Sequence, residues 1–367
     1  MAVRGEVEVV VEAVHQQNFN QALETAKNMK SSRIIIIVVC SLLFACNGKH
    51  EQSVASFYYW RTVFELSETE QKTLKENEVS KMYIRYFDVD IDSRGNTHPV
   101  SPINFKESPK NLHIVPVVYI KNRVMLQENL QLGLLANNIS NYIEQINQAE
   151  GIGMVDEIQV DCDWTLKSRD RFMQFVDTLK RKSGKKLSAT IRLHQVKHYT
   201  STHIPNVDYA TLMYYNMGKI DADTLNSIYD REIASRYIES LKNYPMKLNI
   251  ALPIYAWGVH IRDNKVINLV SKTDKTAFEN DSNFMFSENL NIVEVKNSNI
   301  KHGRYYLRND WIKIEEISAK DLKQMVLDIR KRLPYSPDEV VFFDLDEINI
   351  KRYNNEESFF KKVAHHF

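Results

Sequence analysis

Apolar, β-branched and aromatic residues gather along this chain in short runs, with helical patterns between most of them. The runs are FYYWRTVF (57–64), MYIRYFDVDI (82–91), HIVPVVYI (113–120), DEIQVDCDW (156–164), LSATIRLHQV (187–196), YATLMYYNM (209–217), KLNIALPIYAWG (247–258) and VVFFDLDEI (340–348). Ser67-Glu68-Thr69-Glu70 has capping-box spacing and opens a helix to about Val79. Further helical patterns cover 125–149, 168–182 and 221–243, and a last one starts near Glu356. Eight strands with intervening helices predict an α/β fold, a (β/α)8 TIM barrel. The link between the fifth and sixth runs is too short for a full helix. The link between the seventh and eighth, about 260–339, is long, and its last part, Ser318 to Leu333, reads as the seventh barrel helix. That leaves 260–317 as an insertion with strand-like pieces. A loop at that place emerges on the active face, so it reads as a lid or accessory subdomain, with a decorative insertion or a partner-docking surface as the alternative.

Ile34 to Ala45, IIIIVVCSLLFA, breaks the pattern. Twelve apolar residues are short for a bilayer span and match a signal h-region, with Lys30 and Arg33 in front. Leu43-Phe44-Ala45-Cys46 resembles a bacterial lipobox, which implies lipidation of Cys46 and a membrane-anchored, extracytoplasmic lipoprotein. Signals normally begin at the initiator, so Met29 is the expected true start. The chain then divides into 1–45 as an upstream extension and signal peptide, 46–56 as a tether, and 57–367 as the barrel domain. A buried hydrophobic helix is the alternative for 34–45.

Composition adds exclusions. Lys plus Arg number 48 and Asp plus Glu 47, so no charge excess points to nucleic acid. Three Cys rule out a disulfide scaffold. No Gly-rich phosphate loop, Gly-x-Ser-x-Gly elbow, His-x-His or His-Glu-x-x-His occurs, so no cofactor and no metal is expected.

Alternation along the strands supplies the candidate site. On the fourth run Ile158, Val160 and Cys162 form one apolar face, which turns Asp161 and Asp163 into the barrel. On the fifth, Arg192 and His194 oppose Ile191 and Leu193. On the eighth, Asp344 and Asp346 oppose Phe343 and Leu345. Asn216, Tyr214, Tyr255 and Trp257 lie near other strand ends. Carboxylates at the C-terminal end of barrel strands reach the open mouth, and paired carboxylates across a cleft are the equipment of glycoside hydrolysis. A structural ion network neutralised by Arg192 and Arg85 would use the same residues.

Three segments resemble the family-18 glycoside hydrolases, the chitinase-like barrels. Asp161-Cys162-Asp163-Trp164 is similar to the second half of that family's strand-four motif, Asp-x-x-Asp-x-Asp-x-Glu. Met213-Tyr214-Tyr215-Asn216 is similar to its Met-x-Tyr-Asp, and Lys247-Leu248-Asn249-Ile250-Ala251-Leu252-Pro253-Ile254-Tyr255-Ala256 to its Lys-Leu-x-x-Gly-Leu-Pro-x-Tyr-Gly. The resemblance spans the fourth to seventh runs and implies a barrel for glycans; the catalytic carboxylates expected from the alternation are Asp163 as acid/base, Asp161 as its neighbour, and Asp344 or Asp346 opposite. Arg192, His194, Tyr214, Asn216, Tyr255 and Trp257, near the strand ends, are the expected substrate-binding residues. The chain also departs from the family: the acid's position is Thr165, the strand-six Asp is Asn216, and the eighth run ends Asp344-Leu345-Asp346-Glu347 without the expected Trp. Two functions stay open, a membrane-anchored glycosidase-like barrel and a surface lipoprotein that binds glycans or protein without catalysis.

Overall fold

The computed structural model describes residues 52–109, 111–287 and 291–367. The expected signal segment, Met29 and Cys46 lie outside them. Seven strands, β1 (Val54–Tyr59), β2 (Lys81–Ile91), β3 (His113–Ile120), β4 (Glu157–Asp161), β5 (Lys186–Arg192), β6 (Tyr209–Met213) and β7 (Leu248–Pro253), come in chain order. A segment with β8 (Trp257–Arg262), β9 (Lys265–Ser271), β10 (Phe284–Ser287), β11 (Ile292–Val295) and β12 (Trp311–Glu315) follows, then β13 (Glu339–Phe343). Strands β1 to β7 and β13 pair in parallel, and β1 joins both β2 (Phe57↔Met82) and β13 (Val54↔Glu339), which closes an eight-stranded barrel. The expected (β/α)8 fold is the observed one.

Among the described residues five helices of eight residues or more flank these strands: α1 (Glu68–Glu76), α2 (Leu132–Ala149), α3 (Arg169–Ser183), α4 (Arg231–Ile238) and α5 (Ala319–Arg330). The Ser67 capping box is present, its side chain accepting from the Glu70 amide while Glu70 returns the bond to the Ser67 amide. Ser318 and Asp321 do the same for α5. Ile158, Val160 and Cys162 are buried against the helix layer, and Trp164 stacks on Phe172 there with ring centroids 4.6 Å apart.

Boundaries differ from the sequence pattern in instructive places. Strand β1 begins at Val54, inside the expected tether, because Val54 to Phe57 pair with β13. The fifth run stops at Arg192, and Leu193–Lys197 turns into a short helix. The seventh run holds two strands: β7 ends at Pro253, and Trp257 already belongs to β8. Helix α4 covers only part of 221–243, with Glu239–Asn243 a 3-10 turn.

The insertion is an antiparallel sheet of order β9-β8-β12-β11-β10 with its own small core of Phe278, Phe284, Val293, Val295, Tyr306, Ile312 and Ile314. Gly258 is required where β8 crosses this core, since a Cβ there would meet Ile312 Cγ2 at 2.7 Å. The sheet is fastened to the barrel by a buried network. Lys313 Nζ lies 2.8 Å from Asp223 Oδ1 and 2.9 Å from Glu315 Oε1, and donates to the carbonyl of Leu225 at 2.8 Å.

Candidate active site

The barrel interior is built from layers contributed by alternate strands. At its N-terminal end Lys81, Glu157, Tyr209 and Glu339 meet, one each from β2, β4, β6 and β13. Four residues further along the same strands stand Arg85, Asp161, Met213 and Phe343, the floor of the mouth. Arg85 reaches this level together with Asp88, which it contacts through Nε at 2.7 Å. A bulge in β2 between Arg85 and Phe87 makes that pairing available, since it shifts the alternation by one residue.

Asp161 is buried and accepts one hydrogen bond, from Thr190 Oγ1 at 2.6 Å. Burial pushes its pKa up to about 6, and neighbouring Asp163 adds to the rise while the Thr190 bond opposes it. Asp163 is partly exposed and gripped through both oxygens by Arg192, with Nη2 to Oδ2 at 2.9 Å. Asp344 is half-buried and accepts from Asn349 Nδ2 at 2.7 Å. Burial, then Asp346, raises its pKa to about 6. Burial and then Asp163 and Asp161 push Tyr119 up to about 12, which places that ring beside the strand-four acids.

Aromatic rings wall the mouth. Tyr215 stacks on Phe343 at 5.5 Å, and Phe343 also meets Trp60 at 5.4 Å and Tyr255 at 5.9 Å. Tyr255 packs on Trp257 at 5.2 Å and donates its hydroxyl to Asn216 Oδ1 at 2.5 Å. Trp257 donates its indole N–H to Glu315 Oε2 at 2.8 Å, so the insertion sheet fixes this ring. Tyr215 is buried, and its hydroxyl has no hydrogen-bond partner among the described residues.

The structure therefore brings together Asp161, Asp163 and Arg192, which alternation turned inward, with Asn216, Tyr255 and Trp257 from nearby segments, and with Asp344 on the Phe343 and Tyr255 side. Three expected residues stand elsewhere. Tyr214 points outward, buried beside Tyr229, with Asp328 and Arg231 of the helix layer its next electrostatic neighbours. His194 is exposed on the short helix after β5, because the strand ended two residues earlier. Asp346 is buried and its carboxylate is already engaged: it caps the following helical turn by accepting from the Ile348 amide and binds Lys272 Nζ at 2.6 Å. On the eighth strand the inward residue is Phe343 and not Asp344, since Glu339 at its start already faces the barrel axis. The missed residues are Tyr215, Phe343 and Tyr119. Counting by twos from inward Tyr209, through Thr211 and Met213, reaches Tyr215 and would have found it. Among the described residues no cluster of three metal-ligating side chains occurs.

No family model matches the chain, and no curated protein matches it. Solved structures do. The spore cortex-lytic enzyme SleL of Bacillus megaterium QM B1551 is similar with a TM-score of 0.51 at 9% identity, over 88% of this chain and 75% of that one. SleL of Bacillus cereus gives 0.49 at 12% identity over 86% and 74%, and a chitinase of Bacteroides thetaiotaomicron 0.48 at 11% over 83% and 97%. At 9% identity the likeness to the Bacillus megaterium enzyme shows the fold alone, a TIM barrel, and leaves the chemistry to the residues of this chain.

Proposed function

We propose that this barrel holds a glycan in its mouth, as a binding protein anchored to the bacterial membrane, on the extracytoplasmic side, through a lipid on Cys46. The observation that carries the reading is the Tyr215 hydroxyl. A buried hydroxyl without a partner costs about 1–3 kcal/mol, and this one sits at the floor of a mouth walled by Trp60, Tyr255, Trp257 and Phe343. Sugars offer hydroxyls to such an orphan and C–H faces to such rings. Binding rather than turnover is favoured by two further features. Thr165 stands exposed where the resemblance would place the acid, and Asp163 is occupied by Arg192.

Hydrolysis is the second reading, and one observation favours it: Asp161 and Asp344 both titrate at about 6, near the range a general acid needs. A glycan panel separates the two. The expected result is retention without released reducing ends, weakened about tenfold in Trp257→Ala and kept in Asp344→Asn. Turnover abolished by Asp344→Asn would establish the hydrolase instead. Failure to retain any glycan would sink both. The anchor is tested by the mature mass, which should begin at Cys46 and carry acyl chains.

A further inference from the structure

We propose a second glycan subsite on the insertion sheet, centred on Trp311 and selective for sugars that carry a carboxylate. The proposal extends the reading of the mouth as a glycan site. It begins with strand register. Trp257 pairs with Glu315 and Ile261 with Trp311 in unbroken antiparallel register between β8 and β12. Directly opposed residues share a face, so Trp257, Glu315, Lys313 and Trp311 all lie on one side of the sheet. The insertion's own core, with Ile312 and Ile314, is on the other. Trp257 marks the mouth end of this face. Trp311 lies four residues further out, about 14 Å along the strand.

At Trp311 the face opens into a cleft of about 770 Å³ bordered by Glu294, Lys296, Asn297, Arg308 and Asn309. Trp311 is only half-buried, so part of its ring is available to a ligand. Among the described residues neither Lys296 nor Arg308 pairs with a carboxylate, whereas Lys301 and Lys313 of the same insertion do. The two cations outnumber the one carboxylate, Glu294, that borders the cleft. The ring takes the C–H face of a sugar, the two amides take hydroxyls, and the two cations take an anionic substituent. The middle of the face, at Lys313 and Glu315, is covered by the loop carrying Asp223 and Leu225. The Trp311 site is thus separate from the mouth, and a glycan long enough to reach both passes over that loop.

The test uses the full chain on immobilised glycans, with hexamers of galacturonic acid and of N-acetylglucosamine as charged and neutral probes beside a wider panel of acidic and neutral pairs. At least one acidic glycan should bind more tightly than its neutral counterpart. That preference should weaken with salt. Trp311→Ala should lower the acidic affinity about tenfold, while Trp311→Phe, which keeps a ring, retains most of it. Lys296→Ala with Arg308→Ala should erase the difference between acidic and neutral. No acidic preference in wild type, or a preference untouched by these variants, overturns the proposal. Trp257→Ala divides it from the reading of the mouth. Loss of all glycan binding in Trp257→Ala overturns the second subsite and leaves the mouth. Loss of all binding in Trp311→Ala with none in Trp257→Ala does the reverse. Capture of an acidic peptide or a nucleic acid in preference to every glycan also overturns it.

Discussion

The two ends of the barrel draw on the same strands and a similar supply of charge, yet they are finished differently. At the base, Lys81 Nζ lies 3.1 Å from Glu157 and 2.8 Å from Glu339. Tyr83 and Tyr209 share a hydrogen bond at 2.7 Å, and each also donates to or contacts one of the carboxylates. Ser56 and Ser188 donate to Glu339 and Glu157, both at 3.0 Å. Above them Gln159 accepts from Tyr58 at 2.6 Å and donates to Ser188 and Thr211. Every member of this network has partners, as buried charge requires. Toward the mouth, Asp161 has one donor, Tyr215 has none, and Arg192 is shared only with the partly exposed Asp163. A saturated network specifies a fold. An unsaturated one, ringed by aromatics, has capacity left for a ligand.

That contrast can be broken by experiment. The largest effect is expected at the base: Lys81→Met strands two buried carboxylates and should cost about 3–5 kcal/mol in chemical denaturation. Arg192→Ala, at the half-exposed mouth pair, should cost about 1 kcal/mol or less. Equal losses would mean the mouth is as structural as the base.

Next comes pH. A carboxyl of an unfolded Asp titrates near 3.9 as an order-of-magnitude reference, whereas Asp161 and Asp344 in the folded chain titrate at about 6. The folded state holds these protons more tightly, so their contribution to stability falls as pH rises from about 4 to about 6 and stays low above that. For Asp161 the penalty approaches about 3 kcal/mol. Melting temperatures across this window should show the slope, and Asp161→Asn should flatten part of it. A wild-type profile that rises instead would show that Asp161 is solvated.

A smaller effect distinguishes the tyrosines. Tyr83→Phe removes a hydroxyl that serves Glu339 and Tyr209, and should destabilise by about 1–3 kcal/mol. Tyr215→Phe removes a hydroxyl that serves no protein group, so it should leave stability unchanged or raise it by about 1 kcal/mol. It should still weaken glycan retention. A clear loss of stability in Tyr215→Phe would end the reading of that hydroxyl as ligand-facing.

Much of the architecture was legible because it depends on local periodicity. Eight apolar runs with helices between them define a parallel barrel, and Ser67 and Ser318 announce the starts of α1 and α5 through side chains that act within one turn. On β4 strict alternation separated Ile158, Val160 and Cys162 from Asp161 and Asp163 without further information. Sequence failed where a run of suitable residues changes its structural state midway. Leu193 to Val196 continues the apolar pattern of β5 but folds as a helix, which removes His194 from the barrel axis. Trp257 continues the β7 run but belongs to another sheet.

What the chain determined by itself was therefore the kind of fold and which strands bring polar groups inside, since alternation and capping act between neighbours in sequence. Which of those groups have spare bonding capacity was decided only in three dimensions. Glu157 and Asp161 lie four residues apart on one strand, and nothing between them in the sequence says that Lys81, Tyr209 and Ser188 surround the first while only Thr190 reaches the second. Barrel closure sets those distances, because it brings β1 against β13 and turns eight separate alternations into shared layers.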